Sequence, residues 1–119
     1  MRVIKFRAWD YNNEKVIPWE NIRIEKDENE INLSVVVFDG SVGDHYDDFP
    51  IMQYTGLEDK NNKEIYEGDI ISYWWSRRNK GAVYFENGCY MVDGYLLKDC
   101  PDDTEVIGNI YENLELLNA

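Results

Sequence analysis

This chain of 119 residues has two cysteines, one histidine and half as many bases as acids, and each shortage removes a class of function. Cys89 and Cys100 lack CxxC spacing and sit behind no secretion signal, which points to reduced, structural thiols rather than a redox motif or a disulfide scaffold. No apolar run approaches the length that crosses a bilayer, and the opening MRVIKFRAWD lacks the apolar h-region of a signal peptide, so a cytoplasmic location without membrane contact is expected. Nothing along the chain spaces a nucleophile with a base, repeats a metal-ligand interval, forms a phosphate loop or repeats itself. The expectation is a protein that is not an enzyme and uses no cofactor, metal or small-molecule substrate.

What is present is an aromatic-rich, acidic β sequence. Hydrophobic residues make up 44% and aromatic ones 14%, enough for the core of one compact domain or of a small barrel with an appended lobe. Twelve bases against 24 acids leave −12, and the charge falls in blocks. Residues 25–59 hold ten acids against Lys26, a balance of −9, and residues 81–119 hold eight against Lys98, a balance of −7. Bases outnumber acids by five to three in residues 1–24 and again in residues 60–80, where Arg77, Arg78 and Lys80 crowd together. Long-range repulsion disfavours non-specific DNA binding.

Hydrophobic alternation predicts strands throughout. Val3–Trp9 reads as a first strand with Ile4 and Phe6 on the core side, and Lys15–Trp19 as its short return. Asn21–Glu25 and the β-branched Ile31–Phe38 flank a charged turn at Lys26–Glu30, a second hairpin. Asp39–Pro50, with Asp39-Gly40, Gly43-Asp44 and further acids, has the composition of an exposed connection, which places a boundary between a β-hairpin-rich N-terminal lobe, 1–50, and a C-terminal domain, 51–119. There, Ile51–Leu57 and Asp69–Trp75 are strands around a polar turn. Ala82–Phe85 and Cys89–Val92 flank Asn87-Gly88, a strong hairpin signal, and Asp93-Gly94 turns the chain again. Tyr95–Leu97 and Glu105–Tyr111 follow, with a helical turn at Leu114–Leu117. Short strands at this spacing suggest closure into a small barrel, which removes exposed edges.

Three segments, IKFRAWD, MQYTGLEDKNNKEIYEGDII (Met52–Ile71) and EVIGNIYENLELL, resemble in order and spacing the YopX-like proteins of phages and prophages. The resemblance spans nearly the whole chain. Leu114 departs from it, since members often carry proline after the Tyr-Glu-Asn triplet, and this touches the geometry of the last turn alone. The resemblance implies an SH3-like β-barrel in the C-terminal part and a phage or prophage setting, and it supplies no catalytic residues. Such barrels bind peptides, nucleic acids or other subunits, so the site is argued from its own residues.

Trp74, Trp75, Arg77, Arg78 and Lys80 form the sharpest candidate, because planar rings and cations beside a turn stack on bases or clamp anionic groups. Against this, alternation sends the two tryptophans to opposite faces, so one is expected in the barrel core with the basic turn merely solvated. Asp44, His45, Asp47 and Asp48 offer oxygen and nitrogen donors, but their spacing matches no EF-hand, and a solvated loop is the better reading. The acid blocks are compatible with a mimic of DNA phosphates that inhibits a host DNA-binding protein, although acidic surfaces more often serve solubility. Asp69 reads as a turn residue. Tyr54, Tyr66, Tyr73, Tyr84, Tyr90, Tyr95 and Tyr111 all fall on predicted strands. Together with Trp9, Trp19, Trp74 and Trp75 they exceed what a small barrel holds inside, and the run Val35–Phe38 is apolar on both faces. The resulting expectation is an accessory module that binds a protein partner or itself, with nucleic-acid contact by the aromatic and basic hairpin as the alternative.

Overall fold

The computed structural model describes residues 2–26, 34–39, 42–46 and 48–118, with the backbone alone at 39, 42 and 45. The fold is mainly β, with a curled half-barrel sheet. The chain divides into two compact units, Lys5–Met52 and Met1–Ile4 together with Gln53–Ala119.

In the smaller unit β1 (Phe6–Asp10) pairs antiparallel with β2 (Lys15–Ile17). The turn between them is organised by Asp10, whose carboxylate accepts the backbone N–H groups of Asn12 and Asn13 and the Asn13 amide. After β3 (Ile22–Glu25), β4 (Ser34–Asp39) runs between β3 and β5 (Val42–Tyr46). Ala8, Ile17, Ile22, Val35 and Phe49 form the core. The strand at the N-terminus begins later than its apolar alternation predicts, and Ile4 lies ahead of it, 58% exposed. The predicted turn at Lys26–Glu30, beyond Lys26, and the first residues of the predicted Ile31–Phe38 strand lie outside the described residues.

The expected exposed connection at Asp39–Pro50 is instead largely the strand β5, paired with β4 from Val35↔Tyr46 to Asp39↔Val42. Composition misled here because the free edge of β4 supplies a ladder whatever the side chains. Gly43 acts as a packing residue, since a Cβ there would sit 2.8 Å from Val36 Cγ1. With β4 central, Val35 and Val36 on its opposite faces are 0% and 1% exposed. Both faces of the run are therefore covered at Val35 and Val36, and it is half-buried at Val37 and Phe38, where the apolar pattern on both faces suggests an exposed patch.

In the larger unit β6 (Ile51–Glu58), which enters it at Gln53, pairs with β7 (Glu64–Tyr66). A second sheet has the order β13-β8-β9, built from β8 (Asp69–Trp75), β9 (Arg77–Ala82) and β13 (Glu105–Asn109). A third joins β10 (Tyr84–Glu86), β11 (Cys89–Val92) and β12 (Tyr95–Leu96) through turns at Asn87-Gly88 and Asp93-Gly94 in which all four residues have positive φ. This is the mirror-image turn that suits the twist of paired strands. Ile65, Ile71, Tyr73, Val83, Val92, Leu97 and Val106 form the core. Leu114–Asn118 is a 3-10 helix.

Two buried carboxylates anchor this unit. Asp59 accepts backbone N–H groups from Asn61, Lys63 and Val106 at 2.8–2.9 Å. Asp69, 1% exposed, accepts the Tyr66 N–H at 2.8 Å, in keeping with a turn role. The Tyr73 hydroxyl donates to Asp93 at 2.5 Å. Gly81 leaves room for that carboxylate, because a Cβ there would lie 2.6 Å from Asp93 Oδ2.

Candidate functional site

The segment Arg77–Lys80 is the start of a strand and not a basic turn: Ser76 alone, at φ 63, reverses the chain between β8 and β9. Pairing sets Trp74 opposite Arg78, Trp75 opposite Arg77, and Ser72 opposite Lys80. Residues directly opposite share a face of the sheet. One face of the tip thus carries Trp74, Arg78 and Lys80, and the other Trp75 and Arg77.

Neither tryptophan fills the core. Trp74 is 55% and Trp75 44% exposed, whereas Tyr73 below them is 1% exposed. The two faces do alternate as expected, but the hairpin outruns the core after Tyr73, so at its tip both faces are surface.

The exposed rings are nevertheless held by neighbours. The Arg78 guanidinium lies 5.7 Å from the centre of the Trp74 ring. Its Nη1 donates to Asp103 Oδ2 at 3.3 Å and to Ser72 Oγ at 3.4 Å. Asp103 Oδ1 accepts the Trp74 backbone N–H at 3.1 Å. On the opposite face Trp75 packs on Tyr95 with ring centres 4.8 Å apart. Asn79 closes the turn by donating its side-chain amide to the carbonyls of Arg77 at 2.9 Å and Trp75 at 3.3 Å. An exposed ion pair such as Arg78–Asp103 contributes on the order of 0–1 kcal/mol, so these contacts orient the rings more than they stabilise the fold.

Asp103, Asn79 and Tyr95 escape a reading of sequence for different reasons. Asp103 lies 25 residues from Arg78 and carries no local signal. Tyr95 is visible only as one strand aromatic among several. Asn79, two residues after Arg77, has the spacing of a side chain that satisfies a local backbone carbonyl, and that signal was available.

The acidic residues at 44–48 are not gathered in a loop. Asp44 and His45 lie on β5, Asp48 follows it and accepts the Tyr11 hydroxyl, and Asp47 lies outside the described residues. Among the described residues no group of three or more His, Cys, Asp or Glu side chains converges. Burial, then the nearby carboxylates of Asp93 and Asp99, pushes the Cys100 thiol up, which suits a structural and not a nucleophilic sulfur. An apolar hollow of about 290 Å³ is lined by Leu57, Tyr90, Leu96 and Leu97 with the exposed Cys89 at its side. No described helix is long and apolar enough to cross a membrane.

Fold and site together define a mainly β protein whose most developed surface feature is a hairpin tip of oriented aromatic and cationic side chains. The sequence profile of the YopX protein family matches residues 5–118, and the chain belongs to that family. Its structure is similar to the crystal structure of protein EF1440 from Enterococcus faecalis, with a TM-score of 0.72 and 28% identity over 98% of this chain and 99% of that one. No match was found among curated proteins.

Proposed function

We propose that the chain is a non-enzymatic phage or prophage accessory module that works in the host cytoplasm through protein–protein or homo-oligomeric contacts made by the β8–β9 tip. In this reading the larger unit serves as an SH3-like scaffold. The carrying observation is that Trp74 and Trp75 are both exposed yet each is packed against a neighbouring side chain, Arg78 or Tyr95. Tryptophan, tyrosine and arginine are the residues on which binding energy concentrates, and holding them in place beforehand lowers the entropy lost on association. The acidic DNA-mimic alternative has only charge in its favour and no constellation of its own.

The test compares wild type with a Trp74→Ala/Trp75→Ala variant by light scattering and by affinity capture from cells carrying the related phage or prophage. A complex or oligomer formed by wild type and lost in a variant that melts normally supports the reading. Identical masses and identical captured proteins would overturn it.

A further inference from the structure

We propose that the tip grips an acidic segment of a protein partner, whose carboxylate takes the position now held by Asp103. This rests on the tip being the contact surface.

The chain itself displays the chemistry. On its β13 side, β8 is paired only as far as Ser72, opposite Glu105. Beyond that point the Trp74 N–H has no strand partner, and the Asp103 carboxylate spans it and the Arg78 guanidinium. This arrangement is a carboxylate receptor made of one backbone donor and one fork-shaped cation beside an indole face. The internal occupant is weakly held: both bonds are at the long end of the range, and the Arg78 and Asp103 side chains are 49% and 38% exposed. Asp103 is therefore exchangeable.

Cations remain for further carboxylates. Arg77 and Lys80 make no ion pair among the described residues; Lys80 shares the face of Trp74 and Arg78, and Arg77 lies opposite Trp75 on the other face of the tip, so a segment that wraps the tip meets both.

An acidic peptide suits this surface better than a nucleic acid does. The larger unit carries thirteen acids against seven bases, a balance of −6. A strand with a phosphate at every nucleotide meets that repulsion along its whole length. A segment with two or three carboxylates interrupted by apolar side chains meets it only at the tip, where the cations are.

Two probes decide the matter by fluorescence anisotropy at low salt: a short labelled peptide of alternating glutamate and leucine, and an oligothymidylate of equal formal charge. Wild type should bind the peptide and prefer it to the oligonucleotide. Asp103→Ser should bind it about two- to fivefold more tightly, the reciprocal of a weak internal competitor. Arg77→Glu/Lys80→Glu should weaken it about tenfold or more, and Arg77→Lys/Lys80→Arg should retain binding. Tighter binding of oligothymidylate with the same mutational pattern would overturn the proposal in favour of a nucleic-acid partner. Failure of the peptide to bind even Asp103→Ser would overturn it as well. If capture by the full chain still depends on Trp74 and Trp75 in that case, the tip stands and only the acidic nature of its partner falls.

Discussion

The two ends of strand β8 differ more than any other pair of neighbouring regions in this protein. Over Ile70–Ser72 the strand is paired on both sides, with β13 and β9, and Ile70, Ile71 and the following Tyr73 are at most 1% exposed. Over Trp74–Trp75 one flank is a single carboxylate and the rings stand in water. A continuous strand thus carries stability at its base and presentation at its tip. The large aromatic residues at the tip are affordable because the base already fixes the register that aims them.

Three substitutions test that division. The largest loss of stability should come at the base: Ile71→Ala removes a side chain with no exposure and should cost about 2–5 kcal/mol, read as a lower denaturant midpoint. A loss under about 1 kcal/mol would mean that the base is not where the strand is anchored. Next comes Asp59, which fastens β13 to the rest of the unit through the Val106 N–H. Burial pushes its carboxyl up, but the N–H donors of Val106, Lys63 and Asn61 outweigh this and hold it below the ordinary value of 3.8. A group lowered by folding contributes stability that is complete above the unfolded value, near pH 4, and is lost as pH falls through the lower folded value. Asp59→Asn should cost about 1–3 kcal/mol at neutral pH and flatten the acid limb of a stability–pH curve. An unchanged acid limb would remove Asp59 from the anchoring set. The smallest effect belongs to the tip: Trp74→Ala should change stability by no more than about 0.5 kcal/mol in a thermal melt. A greater loss would show the tip to be structural and erase the contrast.

Sequence pattern located the base of β8 and missed the character of the tip. Within Asp69–Trp75 every residue after Asp69 except Ser72 is β-branched or aromatic, and the strand is unambiguous. The run Arg77–Lys80 is polar and follows a serine, so it reads as a turn, although an edge strand needs only a partner's ladder and not apolar residues of its own. The same competition hid β5, whose Gly43 and Asp44 look like loop residues. Burial of the tryptophans was misjudged for another reason: alternation reports the face a residue points to, and not how far the core extends beneath it. Asp103 was invisible because nothing local ties residue 103 to residue 74. The turns at Asn87-Gly88 and Asp93-Gly94 were legible because their requirement for positive φ is met by the residues themselves.

The Asp59 carboxylate and the β13–β8 pairing together join the last part of the chain to positions far upstream, the former across 47 residues. A backbone cut between Asn87 and Gly88, at an exposed turn, would consequently not release the C-terminal piece. That piece stays laced to its other half by a completed ladder, which makes this turn a natural place to divide the protein into two complementing fragments.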